Sequence, residues 1–262
     1  MLPGFNYYQP RSLAEALLLL RNLPEPKKIL AGGTDLVPAM RRGEVAPAHL
    51  VSLKNLVELR RMREENGKLY LGALVTFSDL AASPLLSGPH ALLAQAAAQV
   101  GGPQIRNQGT VGGNVVNASP AGDLLPPLAA LEAEVRLCRA NGERVLTLKE
   151  FLQGEGRTQI RADEILVEVA FSALPVEARS AFVKLGRRNS LAISRLSAAV
   201  AVVREEDGRI KETRLCLGAV APQHLRVPSA ESRLTGAYPT PALLEEVIAL
   251  VAQAVAESLG NR

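Results

Sequence analysis

The stretch that decides the reading is GGPQIRNQGTVGGNVVNASPAGD, residues 101–123. Five glycines fall in its first thirteen positions, while apolar and polar residues alternate through its middle. Ordering a glycine costs more backbone entropy than ordering any other residue. Such a density belongs where the chain turns sharply or comes very close to something. A second glycine pair lies upstream in KKILAGGTDLVPAMRRG (27–43), where a short apolar strand, two glycines and a helix are expected in that order. Neither AGGTDL (31–36) nor TVGGN (110–114) is GxGxxG or GxxxxGK[ST], so the common dinucleotide and P-loop fingerprints are absent. The underlying chemistry is still open to them. Backbone N–H groups freed of Cβ crowding line up on phosphate oxygens, and two such loops suit the two faces of a pyrophosphate.

The polar side chains in these loops refine the expectation. Thr34, Thr110 and Asn114 are uncharged donors suited to phosphate oxygens. Asp35 would repel a phosphate, so it is expected to accept from the N–H groups of the following turn and fix the loop. Asp123, after SPAG and before LLPPLAAL, has two readings: acceptor for ribose hydroxyls, or cap of the next turn.

Working outward, Ser12 and Glu15 form a capping-box pattern ahead of the helix ALLLLRNL. HLVSL (49–53), KLYLGAL (68–74), EVRLCR (134–139) and EILVEVAF (164–171) read as strands, and SDLAASPLL and HALLAQAAAQV as short helices. Asn141–Gly142 marks a tight hairpin turn. The pattern changes near SALPVEARS (172–180). Beyond it come AFVKLG and two long strands joined at Asp207–Gly208, then a closing helix with Thr240 as N-cap, Pro241 in its first turn and Gly260 after its last. Two α+β domains are expected, 1–173 and 174–262.

Composition sets limits. With 47% hydrophobic and 21% charged residues the chain is an ordinary globular sequence. No apolar run approaches the roughly 18 residues of a membrane span, and MLPGFNYYQP lacks the pattern of a signal peptide, so a cytoplasmic protein is expected. Cys138 and Cys216 stand alone in strand-like runs and read as free buried thiols. Two thiols cannot supply an iron–sulfur cluster. The net charge of +4 comes from scattered basic residues, and with no Trp and 3% aromatics there is little to stack on bases, so nucleic acid is not an expected partner. His49, His90 and His224 lack neighbours for nucleophilic or acid–base work and read as structural. No catalytic or metal-binding residue is assigned.

AGGTDLVPAM, IRNQGTVGGNVVNASPAGDLLPPLAAL, EILVEV and FVKLGRRNSLAISRLSAAVAV occur in that order and together closely resemble the FAD-binding medium subunits of the molybdenum hydroxylases, the xanthine dehydrogenase and carbon monoxide dehydrogenase type. The resemblance covers nearly the whole chain. It implies the two-subdomain FAD-binding fold of the vanillyl-alcohol oxidase (PCMH) type, the subdomains dividing near 55–60, with a small C-terminal α+β domain. It maps Ile29, Leu30, Ala31, Gly32, Gly33, Thr34, Asp35 and Leu36 onto the first FAD loop, Gly32 and Gly33 being at the pyrophosphate. Thr110, Val111, Gly112, Gly113 and Asn114 map onto the second. Asp123 matches an FAD-binding Asp, Leu166 an apolar contact, Lys184 a lysine contact, and Val100 a position where some members carry a bulkier residue against the cofactor.

The implied partners are a large subunit with the molybdenum cofactor, a small subunit with two [2Fe–2S] clusters, and an electron acceptor such as NAD or a quinone. The implied role is an oxidoreductase subunit that relays electrons through FAD, with Lys184 either at the pyrimidine edge of the flavin or anchoring a phosphate or carbonyl. The carbon monoxide dehydrogenase branch tends towards a Gly-Asp-Trp-like run where this chain has Ser190-Leu191-Ala192-Ile193. That places the chain nearer the xanthine dehydrogenase-like subunits. A self-contained flavin oxidoreductase of the same fold and a cofactor-free assembly subunit are the alternative readings.

Overall fold

The computed structural model describes residues 4–188 and 192–260. The chain opens with β1 (Asn6–Tyr8), α1 (Leu13–Asn22), β2 (Lys27–Leu30), α2 (Leu36–Arg42) and β3 (His49–Ser52). The three strands form one parallel sheet in the order β1-β3-β2. Ser12 caps α1 by accepting from Glu15 N, but the Glu15 carboxylate reaches back to Arg11 N rather than to Ser12, so the expected box is only half made.

Next come β4 (Met62–Glu65), β5 (Lys68–Gly72), α3 (Phe77–Ala82), α4 (Ala91–Ala98), α5 (Pro103–Arg106), α6 (Val111–Asn117), α7 (Leu125–Ala130), β6 (Glu134–Arg139), β7 (Gly142–Thr147), α8 (Leu148–Phe151), β8 (Leu152–Gly154), β9 (Arg157–Thr158) and β10 (Ile165–Ser172). Five of these strands make an antiparallel sheet in the order β4-β5-β10-β6-β7, and β8 pairs with β9. Gly142, at the predicted tight turn, has φ +136°. Central strand β10 is buried on both faces. Leu166, Val169 and Phe171 join the large core beneath α3, α4, α6 and α7, whereas Ile165 and Val167 join a second core with α1 and β3.

The last part holds β11 (Arg179–Gly186), β12 (Ser194–Arg204), β13 (Ile210–Gly218), β14 (Leu225–Arg226), α9 (Pro228–Leu234) and α10 (Pro241–Gly260), the strands pairing antiparallel in chain order. One face of this sheet, with Phe182, Ala199 and Ala201, closes the large core. The other lies under α9 and α10. Thr240 Oγ1 accepts from Leu243 N as an N-cap should, but α10 runs through Gly260 instead of stopping before it. Ser190 and Leu191, which carried the branch comparison, lie outside the described residues. Among the described residues no helix is long and apolar enough to cross a membrane.

Candidate functional site

The two glycine stretches, some 75 residues apart in sequence, meet in space. A Cβ on Gly32 would land on the Gln108 carbonyl, 2.7 Å from its carbon and 3.2 Å from Gly109 Cα. Only a residue without a side chain permits this backbone-on-backbone contact. The second stretch is in turn stitched to residues 73–77. Val111 N donates to Val75 O and Gly112 N to Ala73 O, both at 2.9 Å, and Phe77 N donates to Gly109 O at 3.1 Å. Gly112 sits against Ala73, whose Cβ would be 2.7 Å from an added Cβ. Gly33 has a different need: its φ is +76°, a left-handed turn that lets the chain leave β2 and enter α2.

Between the two stretches runs a cleft of about 760 Å³. Its walls include Ile29, Ala31, Gly32, Gly33, Thr34, Asp35 and Leu36 from the first stretch, Val100, Thr110, Gly112, Gly113 and Asn114 from the second, and Leu166 from β10. Leu30, Val111, Asp123 and Lys184 stand outside the walls. Sequence reasoning missed Phe77, Ile105, Asn117, Gly156 and Ile160, which also line it. Ile105 and Asn117 fall inside the quoted stretch and were within reach. Gly156 and Ile160 arrive by the β8–β9 ribbon and left no signal in the sequence.

The two loops offer different chemistry. The N–H groups of Gly32, Gly33, Thr34, Asp35 and Leu36 donate to no protein acceptor among the described residues. They are a consecutive set of open donors on the wall of a cleft. In the second loop the same holds only for Thr110 N. Val111 and Gly112 donate as above, Gly113 N donates to Thr110 Oγ1 at 3.0 Å, and Asn114 N to Thr110 O at 2.9 Å. The N–H groups from Val111 to Asn114 are therefore occupied in seating α6, which leaves Thr110 N as the open donor of the backbone cradle expected at 110–114. Asn114 Oδ1 is buried there without a hydrogen-bond partner.

Two further expectations change. Asp35 caps nothing: its backbone is helical (φ −107°, ψ −48°), not in the extended geometry that aims a capping side chain at the first turn. Its carboxylate accepts only a long 3.5 Å bond from Thr34 Oγ1. Nor does Asp123 cap a turn. It is buried, with Lys184 Nζ 2.6 Å from Oδ2 and Ser194 Oγ 2.6 Å from Oδ1. Burial pushes its carboxyl above the usual range, and the bonds from Lys184 and Ser194 oppose that. Lys184 Nζ also donates to Gln99 O at 3.2 Å.

His90 Nε2 accepts from Leu174 N at 2.9 Å, and Tyr8 OH bonds His49 Nδ1 at 3.1 Å. His224 is buried with Nδ1 unpartnered, and burial with the nearby Arg226 and Lys149 charges pushes it down to about 4. Cys138 and Cys216 are free and buried.

Comparison with known proteins identifies this architecture. The family described as FAD binding domain in molybdopterin dehydrogenase matches residues 3–173, and the CO dehydrogenase flavoprotein C-terminal domain matches 180–260. The chain belongs to the FAD-binding subunits of the molybdenum hydroxylases. It is 36% identical over 251 residues to the nicotinate dehydrogenase FAD-subunit of Eubacterium barkeri, covering 94% of this chain and 85% of that one. It is 35% identical over 235 residues to the carbon monoxide dehydrogenase medium chain of Hydrogenophaga pseudoflava, covering 89% and 81%. A chain of the reconstituted CO dehydrogenase from Oligotropha carboxidovorans superimposes with a TM-score of 0.90 at 31% identity, covering 95% of this chain and 87% of that one. The expected fold, the two-subdomain FAD-binding type with a small C-terminal α+β domain, holds, as does FAD as the cofactor of this oxidoreductase subunit.

Proposed function

We propose that the cleft between the two glycine stretches holds FAD and that the chain relays electrons within a molybdenum hydroxylase complex. The observation that carries the placement is the run of open N–H donors from Gly32 to Leu36 on one wall, with the orphaned Asn114 Oδ1 on another. Consecutive free amides suit the pyrophosphate, and a buried amide oxygen without a donor suits a ligand hydroxyl. The residues present fit the group. Bound there, FAD supplies the exchange between one-electron and two-electron carriers.

The chain's own residues do the rest. Gly32 to Leu36 orient the phosphates, and the Thr34 hydroxyl adds a donor. Thr110 Oγ1 accepts from Gly113 N and keeps its proton for a phosphate oxygen. Val100 and Leu166 form apolar wall that excludes water from a ring. Lys184 acts through Asp123, to which it is bonded.

The same reading gives the partners: a large subunit carrying the molybdenum cofactor, a small subunit with two [2Fe–2S] clusters as electron donor, and NAD or a quinone as acceptor, all in the cytoplasm. The domain division at 173/174, with the first domain split near 55–60, is supported by the sheets, which fall at residues 6–52, 62–172 and 179–226. Absence of a Gly-Asp-Trp-like run at Ser190-Leu191-Ala192-Ile193 supports a xanthine dehydrogenase-like complex over a carbon monoxide dehydrogenase. The test is the visible absorption spectrum of the purified chain after incubation with FAD and gel filtration, with mass identification of what heating releases. Flavin bands and released FAD are expected. A colourless chain that takes up no FAD overturns the proposal.

A further inference from the structure

Strand β11 lies along helix α4 in a fixed register. Ser180 Oγ accepts from Leu92 N at 3.1 Å, Phe182 N donates to Gln95 Oε1 at 2.8 Å, and Lys184 Nζ donates to Gln99 O at 3.2 Å. Steps of two along the strand thus meet steps of three and four along the helix and its last turn. The line ends at the buried carboxylate of Asp123, whose two oxygens take Lys184 from β11 and Ser194 from β12. All three groups are nearly inaccessible, the side chains of Lys184 and Asp123 at 7% and 6% and Ser194 at 6%.

Ser194 reaches that position by a bulge. Leu185 pairs with Leu196, but Gly186 pairs with Ser194, so β12 carries one extra residue, Arg195. Side chains alternate faces along a strand, and an extra residue reverses the phase. In unbroken register Ser194 would share the face of Leu196 and Ala198, which pack towards α9 and α10. With the bulge it is buried on the same side as Ser197 and Ala199, towards Asp123.

We propose that Ser194 is a positioning residue for the cofactor site: with Lys184 it fixes Asp123 and so locks the C-terminal sheet onto segment 99–123, which forms one wall of the cleft. This rests on the cofactor placement above. Segment 99–123 begins at Gln99, the last rung on α4, passes through Val100, Ile105 and Thr110 to Asn114 in the cleft wall, and ends at Asp123. Its two ends are therefore held by the same lysine. Asp123 has both oxygens engaged by the C-terminal sheet, so it holds the wall in place and does not line it.

The charge state decides whether the lock holds. Among the described residues the charged group facing Asp123 is Lys184 of β11; β12 adds the neutral Ser194 hydroxyl, and α4 ends on the neutral Gln99 carbonyl beside Lys184. Asp123 is raised by burial, so ionising it lowers fold stability as pH rises through its folded value. The ion pair thus fixes geometry and does not add stability. Removing the Ser194 hydroxyl removes a bond that favours the carboxylate, so Asp123 takes up its proton at higher pH and releases Lys184.

The experiment follows FAD release by flavin fluorescence from the full chain, loaded with added FAD, as pH falls from 8 to 4. Wild type is compared with Ser194→Ala, Ser194→Val and Ser194→Thr. Val has the shape of Thr without its hydroxyl, and both suit a strand. The expected result is an acid midpoint raised by about one pH unit in the Ala and Val variants, the size set by losing one hydrogen bond to a charged group, with Thr close to wild type. An unmoved midpoint in Ala and Val, or a Thr variant that behaves like Val, overturns the inference while leaving the cofactor placement intact. A wild-type chain that takes up no FAD at any pH overturns the placement and this inference with it.

Discussion

The loops at 31–36 and 110–114 look alike in sequence and differ in function. Each carries a glycine pair with a threonine within two residues of it. In the first the N–H groups of Gly32 to Leu36 are open to the cleft; in the second those of Val111 to Asn114 are all taken by Val75, Ala73 and Thr110. The glycines differ too. Gly33 serves a left-handed turn, whereas Gly32 and Gly112 serve close packing on Gln108 and Ala73. The lesson is that a glycine pair marks a tight place without saying what it is tight against. The second loop is a wall that the first faces, and its contribution is side chains set on rigid backbone.

The largest effect is expected where the loops touch. Gly32→Ala drives a Cβ into the Gln108–Gly109 backbone, which cannot rotate away. We expect about 3 kcal/mol lost in urea unfolding and no FAD retained after gel filtration. Wild-type stability would show that the two loops are not in contact, and the comparison would fail.

Next is the side-chain wall. Asn114→Asp turns a cleft-lining amide, whose oxygen is buried without a partner, into a carboxylate. If that wall faces a polyphosphate cofactor, titration with FAD gives a dissociation constant at least roughly tenfold weaker, about 1.4 kcal/mol. Unchanged affinity would place the ligand against the first loop only.

A smaller effect separates seating from binding. Thr110→Ala removes the acceptor for Gly113 N at the start of α6. The loss of this cap is expected to lower the urea-unfolding free energy by about 1 kcal/mol. Thr34→Ala on the open loop, whose hydroxyl makes only the long bond to Asp35, should leave stability unchanged and weaken FAD alone. Equal stability losses in both variants would erase the distinction between the loops.

The smallest effect is a control placed away from both. His224 is held down to about 4 by burial, against an ordinary value of 6.5. A depressed folded value means that the unfolded chain takes the proton first, so the contribution is complete above pH 6.5 and declines from there towards pH 4. Its slope cannot exceed roughly 1.4 kcal/mol per pH unit. The stability-against-pH curve of His224→Gln should be flatter between pH 6.5 and 5 than that of wild type, at constant FAD affinity at pH 8. A loss of FAD affinity at pH 8 would tie this histidine to the cleft.

Much of the fold was legible because its signals are local. The Asp207–Gly208 turn, the Thr240 N-cap and the apolar runs of β3, β6 and β10 depend on residues a few positions apart, and each element formed where those residues put it. Asp35 and the second loop misled for a common reason. Whether a carboxylate caps, or an N–H is free, depends on backbone angles and on acceptors such as Ala73 O and Val75 O, 39 and 36 positions from the donors that use them.

By itself the sequence determined the order of the elements, the change of pattern near residue 175, and the two glycine stretches as the places where something approaches closely. The ordered motifs also pointed to the FAD subunit family. Only the tertiary structure decided which stretch keeps its donors open, that Asp123 is held by Lys184 and Ser194, and that a one-residue bulge turns Ser194 towards it. The reason is physical. Glycine content and apolar period are properties of neighbours along the chain, whereas hydrogen-bond occupancy and the burial of a charge are set by partners that only packing brings within 3 Å or so.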